Sequence, residues 1–266
     1  MLARSPSRAS FALALSLALS PAISPALALA LAPAAVAPVR APASAPATAP
    51  AAARPRAPAR ASPLSRLLAR TFKAYGGLEG LLAVEGIRSA GTVRDGERLG
   101  RVERALAPTG RLRAVTTFGG VEHETVVLDG DRAWRDGAEV TGLARSVLLR
   151  LEAARLFLPA LLARERAALV DRGELRRAGR QLRLVELPFE KEAALLAEID
   201  SGSGRIVRTT ARVGRYEIVV TYDRFRRVNG LLFPFHEAIA APEGLRTVAL
   251  DRVELVPAGV LRLSAP

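Results

Sequence analysis

The sequence predicts a mainly β, α+β domain, a half-open antiparallel β-barrel of about ten strands with helices covering its concave face. Short β-rich runs follow one another between residues 87 and 135, separated by tight turns such as Asp95-Gly96 and Asp129-Gly130. Connections this short suit antiparallel pairing, because parallel strands need long crossovers. Apolar and polar residues alternate within the strands, so one face of the sheet is apolar and needs the amphipathic helices as cover.

The N-terminal segment carries an export signal. Residues 1–62 contain no Asp or Glu, and no charged residue lies between Arg8 and Arg40. A basic start, an apolar stretch at 11–19 and later Ala-x-Ala patterns predict a signal peptide over 1–30, with cleavage near residue 30 or 37. An uncleaved inner-membrane anchor is the alternative, because the uncharged run is long enough to cross a bilayer. We expect the protein to act in the periplasm.

Two further segments follow the signal. Residues 31–62 consist almost entirely of Ala, Pro, Ser, Thr and Arg, which predicts a disordered linker, because such a segment buries too little apolar surface to fold. Residues 63–266 suit a single domain. The chain contains no cysteine, so packing alone must hold this domain together.

Helices are predicted at two places in the domain. Ser62 is a suitable N-cap with Pro63 at the first helical position, and Gly76-Gly77 ends this helix. Farther along, helical spacing predicts a helix through Leu143, Val147, Leu148, Leu151 and Ala154, and a second over residues 160–170.

Strands are predicted from β-rich runs bounded by Gly, Pro, Asn or Asp. Their ranges are 87–94, 97–105, 111–118, 121–128, 132–135, 181–187, 193–200, 205–213, 216–222, 231–240 and 245–256, with 260–263 as a further candidate. In the run 216–222, Tyr216, Ile218, Val220 and Tyr222 share one face, as expected for a sheet with one apolar side.

The charge pattern argues against nucleic-acid binding. The chain has a formal net charge of +13, but six of its 39 basic residues lie in the N-terminal segment. Those of the domain are scattered among carboxylates, as in Arg101-Val102-Glu103-Arg104 and Arg164-Glu165-Arg166. A nucleic-acid surface would show a dense basic stripe with stacking aromatic residues.

No constellation of residues indicates an enzyme. His123 and His236 are the only histidines and have no metal-ligand spacing, and the sequence has no Gly-x-Ser-x-Gly motif. Acid pairs such as Asp129 and Asp131 fall at turns, where solubility explains them. We expect no catalytic residue, no metal and no cofactor.

Four segments, in order along the chain, resemble LolA/LolB-like outer-membrane lipoprotein carrier and sorting proteins. They are the run 73–87 with Gly91, Leu-Asp-Gly-Asp-Arg-Ala-Trp at 128–134, the turn 199–208, and the run 222–234 from Tyr-Asp to Phe-Pro. The resemblance implies an unclosed antiparallel barrel in the periplasm that holds lipid acyl chains beneath helices and does no covalent chemistry. It also implies an arginine near the cavity that governs opening, which cannot be matched to one position in this chain.

An acyl-chain cavity needs apolar side chains and no polar specificity, since each buried methylene contributes about 0.8 kcal/mol. The candidate lining residues are Phe118, Trp134, Leu148, Leu151, Phe157, Leu161, Tyr216, Tyr222 and Phe233. Ordinary core packing is the alternative interpretation for Trp134 and for the leucine stripe.

The sequence therefore predicts a periplasmic protein that holds the acyl chains of a lipid or lipoprotein for transport to, or sorting at, the outer membrane. The hypothesis requires a hollow that the sheet's own side chains leave unfilled. The alternative is a non-enzymatic protein-interaction or envelope-sensing module that uses the same concave face, with an envelope membrane protein as partner. A monomer is expected, because a carrier must hand over its cargo.

Overall fold

The computed structural model describes residues 62–190, 192–261 and 263. The predicted signal peptide and the linker up to residue 61 lie outside these residues, so both stay predictions. The described residues form one β-sheet with four α-helices and a short 3₁₀ helix. The helices are α1 (Pro63–Tyr75), α2 (Leu78–Leu82), α3 (Leu143–Leu156) and α4 (Leu158–Arg164), and the 3₁₀ helix spans Ala258–Val260.

The sheet contains thirteen strands, all paired antiparallel, in the order β6-β5-β4-β3-β2-β1-β13-β12-β11-β10-β9-β8-β7. Apart from the β1–β13 pair, neighbours in the sheet are neighbours in the sequence, and β6 and β7 form the two edges. The predicted half-open antiparallel architecture is therefore confirmed. The strands are β1 (Ile87–Asp95), β2 (Arg98–Leu106), β3 (Leu112–Phe118), β4 (Val121–Asp129), β5 (Arg132–Arg135), β6 (Ala138–Glu139), β7 (Val170–Arg177), β8 (Arg180–Pro188), β9 (Ala193–Asp200), β10 (Ile206–Val213), β11 (Tyr216–Val228), β12 (Leu231–Ala241) and β13 (Gly244–Leu255).

The structure differs from the sequence prediction at several elements. Strands β6 and β7 were not predicted, β11 continues to Val228, and the candidate strand at 260–263 is replaced by a 3₁₀ turn that begins at Ala258. Helix α4 spans Leu158–Arg164 rather than 160–170. Strand β7 escapes pattern recognition because it is an edge strand whose side chains are largely exposed and charged. Charged residues on an edge discourage pairing with another chain.

The main core lies between the helices and the concave face of the sheet. Leu151 of α3 and Leu158 and Leu162 of α4 are at most 1% exposed. They belong to one buried cluster with Val220 of β11 and Ile199 of β9, both 0% exposed. Fully burying such a side chain contributes about 1.5–3 kcal/mol, so this contact is the main reason why the short helices lie where they do.

Helix α1 is docked closely onto the β9–β10 turn. Ser62 caps the helix by accepting a 3.0 Å hydrogen bond from the Ser65 backbone N–H. The Tyr75 hydroxyl accepts a 3.1 Å hydrogen bond from the backbone N–H of Ile206. Gly204 has a φ of +72°, and a Cβ placed there would lie 2.9 Å from backbone atoms of α1. Only glycine allows both the conformation and the approach.

Replacing Gly204 with alanine is expected to lower the free energy of unfolding by about 2–4 kcal/mol, because left-handed strain adds to overpacking against α1. Urea unfolding would measure the change. Gly202→Ala in the same turn is the control, since its Cβ would meet only the Asp200 carboxylate oxygen at 3.4 Å. Equal unfolding free energies for the two variants would contradict the close docking of α1.

Candidate functional site

A small cavity of about 50 Å³ lies between the α3–α4 junction and strands β10 to β12. Its apolar walls include Phe157, Leu158, Ala160, Leu232 and Phe233, and its polar lining consists of Tyr75, Arg155, Thr209, Tyr222 and Glu237. One water molecule occupies about 30 Å³ of liquid, so this space suits one or two methylene-sized groups. Ligand pockets measure about 300–1,000 Å³.

The space at the α3–α4 junction is therefore much smaller than the unfilled hollow expected from the sequence. The reason is that α3 and α4 insert leucines into the curve of the sheet. Leu151 and Leu162 are 0% exposed and belong to the same buried cluster as Val185 and Val220, which are also fully buried. An acyl chain can occupy this space only if α3 and α4 move and their leucines lose their contacts with the sheet.

A buried cluster of charges ties α3 to the sheet beside the cavity. Glu237 of β12 accepts two hydrogen bonds from the Arg104 guanidinium of β2, at 2.9 and 3.2 Å. It accepts a third from Arg155 Nη1 of α3 at 3.1 Å. Arg155 Nε also donates to Glu152 Oε2 at 2.7 Å. The Arg155 and Glu237 side chains are each 4% exposed. We call these four residues the buried charge cluster.

The charges of this cluster are fixed by their neighbours. Burial favours the neutral form of Glu237, but Arg104 and Arg155 outweigh it and lower its pKa to about 2. Burial likewise opposes the charge on Arg155, yet Glu152 and Glu237 raise its pKa well above the usual value. Burial raises the pKa of Tyr222 to about 12, and its hydroxyl is hydrogen-bonded to Thr209 Oγ1 at 2.8 Å.

Sequence reasoning missed this cluster, although two signals for it are present. Arg155 lies four residues after Leu151, on the face of the predicted helix that carries the leucines. Glu237 lies between Phe235 and Ile239 at strand spacing, and both of those residues pack against the concave core. A charge at an inward position indicates a partner, because an unpaired buried charge is strongly unfavourable.

The structure brings part of the predicted lining together. Phe157, Tyr222 and Phe233 line the cavity. Leu151 lies in the adjoining buried cluster, and Leu148 and Leu161 pack against that cluster while remaining partly exposed.

The other three candidates lie elsewhere. Phe118 packs against the separate Val93, Val102 and Val248 cluster and has the Arg98 guanidinium 4.0 Å from its ring centroid. Trp134 lies opposite Val127 in the β4–β5 pair, with the Arg132 guanidinium 4.9 Å from its ring. Tyr216 is half-buried at the start of β11. A ligand-binding role for any of the nine residues stays a prediction.

Two further properties bear on what the site can do. Within residues 62–190, 192–261 and 263, no group of three or more His, Asp or Glu side chains could hold a metal ion. None of the helices in the same part of the chain is long and apolar enough to span a membrane.

The sequence matches no protein family profile and no curated protein. Solved structures do match it. A LolA superfamily protein from Nitrosomonas europaea shares 12% identity at a TM-score of 0.51, covering 75% of this chain and 97% of that one. A DUF1329 family protein from Desulfovibrio piger shares 10% identity at a TM-score of 0.45, covering 77% and 96%. A domain from Vibrio parahaemolyticus, described as an outer membrane lipoprotein-sorting protein, shares 10% identity at 0.46, covering 74% and 93%.

Identities this low support a statement about the fold alone. The fold assignment rests on the Nitrosomonas europaea protein, whose TM-score is 0.51. This fold assignment agrees with the single open antiparallel sheet of the described residues and with the helices that pack on its concave face. The described domain has the fold of the LolA superfamily.

Proposed function

We propose that this domain binds acyl chains of a lipid or lipoprotein between its sheet and helices α3 and α4, and carries them through the periplasm to the outer membrane. The main support for the proposal is the apolar contact between these two helices and the concave face of the sheet. Leu151, Leu158 and Leu162 cover a concave face built from apolar residues of β8 to β12. Displacing the helices would expose one continuous apolar surface of the kind that an acyl chain covers.

Helices α3 and α4, which we call the lid, are suited to such a movement. Their N-cap residues are Gly142 and Phe157, and neither provides a side-chain capping hydrogen bond. The lid helices have 14 and 7 residues, lengths at which an isolated helix is marginal in water and depends on tertiary packing. Helix α1, by contrast, is capped by Ser62 and docked against Gly204. We infer that α1 stays in place while the lid moves.

The replacement of lid contacts by acyl-chain contacts is favourable when the acyl chain is long. Ten buried methylenes contribute about 8 kcal/mol, which about offsets the cost of association, so a chain longer than this gains net binding free energy. The lid leucines lose burial when they leave the sheet, and the acyl chain replaces their contacts. Binding of this kind needs no catalytic group, so we further propose that the protein acts as a monomeric carrier without covalent chemistry.

Protein purified from the cell envelope is expected to contain lipid that organic extraction and mass spectrometry identify. Delipidated protein is expected to take up one equivalent of a fluorescent fatty acid. Protein that is empty on purification and takes up no fatty acid would contradict the proposal. If such protein instead carried a stoichiometric envelope protein, the interaction-module alternative would replace it.

Phe233→Glu is expected to weaken fatty-acid binding at least about tenfold, because the variant places a charge in the wall of the apolar cavity. A fluorescence titration would measure the affinity. Leu245→Glu is the control, since Leu245 is 62% exposed and lies at the start of β13. Equal affinities of the two variants would place the fatty acid outside this cavity.

A further inference from the structure

A second, open concavity of about 530 Å³ lies where strands β10 and β11 stop pairing. The two strands pair from Arg208 to Val213 of β10. Strand β11 then continues past Tyr222 to Val228 with β12 as its partner. Strand β10 is irregular at this point, with a register shift between Ile206 and Arg208. The divergence leaves an opening in the sheet with the volume of a small-molecule site.

Three arginines from different elements line this opening. Arg180 begins β8, Arg205 lies in the β9–β10 turn, and Arg224 lies in β11. Arg224 has a φ of +50°, an uncommon conformation for a residue with a Cβ. The Arg205 guanidinium lies 5.4 Å from the ring centroid of Phe225, which orients it at the rim.

The two carboxylates of the opening are engaged with their own neighbours. Asp200 Oδ1 accepts hydrogen bonds from the Ser203 backbone N–H at 2.7 Å and from its hydroxyl at 2.8 Å. Asp223 Oδ1 lies 3.1 Å from His236 Nδ1 and 3.9 Å from Arg224 Nε. Among the described residues, neither Arg180 nor Arg205 has a carboxylate oxygen within 4.0 Å, although Arg180 is close enough to Asp200 to help lower the pKa of that carboxyl group. Both guanidinium groups therefore keep N–H donors that can bind an anion, and the three arginines of the opening outnumber its two carboxylates.

Tyr222 joins the two spaces. It lines the small apolar cavity and also the open concavity, so this residue borders both spaces. A lipid with its chains under the lid would have its polar end near this residue. Guanidinium groups bind phosphate oxygens strongly, because their N–H groups match the geometry and the charges attract.

We propose that the concavity beside Tyr222 binds a phosphate ester, namely the head group of a phospholipid whose acyl chains lie beneath the lid. This inference rests on the proposed function and narrows it, because it names an anionic phospholipid rather than a neutral lipid as cargo. The same chemistry would also suit a soluble phosphate ester, and the test separates the two sources.

The test compares dioctanoyl phosphatidylglycerol, dioctanoylglycerol and glycerol 3-phosphate as ligands of the full-length protein. We expect the phospholipid to bind at least about tenfold more tightly than the neutral lipid of equal chain length, with the preference falling as salt rises. Glycerol 3-phosphate is expected to bind much more weakly than the phospholipid. In Arg180→Gln/Arg205→Gln protein, the ratio of the two lipid affinities is expected to fall towards one.

Arg94→Gln/Arg113→Gln is the matched control, since both of these arginines are exposed and lie on β1 and β3. Its affinity ratio is expected to equal that of the wild type. A wild-type ratio near one, or a ratio that survives the Arg180/Arg205 double substitution, would overturn the head-group site and leave the acyl-chain carrier standing. Binding of neither lipid would overturn both. Glycerol 3-phosphate binding as tight as the phospholipid would assign the site to a soluble ester instead.

Discussion

Replacing Glu237 with alanine is expected to lower the free energy of unfolding by about 3–5 kcal/mol, because it leaves Arg104 and Arg155 buried without their shared partner. Both guanidinium groups are at most 10% exposed and lie within 3.1 Å of Glu237 oxygens. Urea unfolding at neutral pH would measure the loss.

Asp251→Ala is the matched control for this substitution. The Arg101–Asp251 pair has the same 2.9 Å separation as the Arg104–Glu237 contact, but both of its side chains are 54% exposed. Exposed pairs contribute at most about 1 kcal/mol, because water screens them. If the two variants lose equal stability, the cluster does not hold α3 against the sheet.

The same carboxylate gives a pH dependence with a defined sign. The pKa of Glu237 is about 2 in the folded protein, compared with 4.5 for an unperturbed glutamate. Its contribution to stability is therefore complete above about pH 4.5 and is lost as the pH falls towards 2. Over this window the wild type is expected to lose stability more steeply than Glu237→Gln. Parallel curves would show that Glu237 titrates normally.

A cross-link that ties the lid to the sheet is expected to reduce fatty-acid uptake at least about tenfold, because the cavity of about 50 Å³ cannot accept a chain while the lid is closed. The chain contains no cysteine, so two introduced cysteines are the only reactive thiols. Arg150 of α3 lies 2.9 Å from Asp131 in the β4–β5 turn, measured from Nη1 to Oδ1. Cysteines at these two positions can be joined by a short, cleavable bis-maleimide linker.

Cysteines at Arg101 and Asp251 provide the control cross-link, since that pair joins two strands of the sheet and spares the lid. Uptake is expected to remain normal in the cross-linked control, and to return in the lid variant when the linker is cleaved. Undiminished uptake by the fully cross-linked lid variant would show that acyl chains bind without movement of α3.

Turn chemistry is the reason why so much of the fold is predictable from this sequence. Asp-Gly at 95–96 and 129–130 marks the β1–β2 and β4–β5 hairpins, and Gly76 ends α1 with a φ of +114°. These signals are local, so a single sequence displays them. Strand β7 was missed because most of its side chains, at the edge of the sheet, are charged and exposed, so the segment shows no regular strand alternation.

The candidate site was less predictable, because it depends on contacts between distant segments. Arg104, Arg155 and Glu237 are separated by at least 51 positions, and nothing local pairs them. The volume of the cavity depends on how far the lid leucines reach into the sheet, which periodicity does not specify. The apolar pattern of the sequence is sufficient to place Phe157, Tyr222 and Phe233 on inward faces. It does not indicate whether space remains beside these side chains.

In the proposed mechanism, α3 leaves the sheet when an acyl chain binds. Double electron–electron resonance between spin labels at Arg145 of α3 and Arg252 of β13, both exposed, measures this directly. On addition of one equivalent of fatty acid, the distance between the labels is expected to increase by several ångströms. An unchanged distance in protein shown to hold its fatty acid would contradict the account.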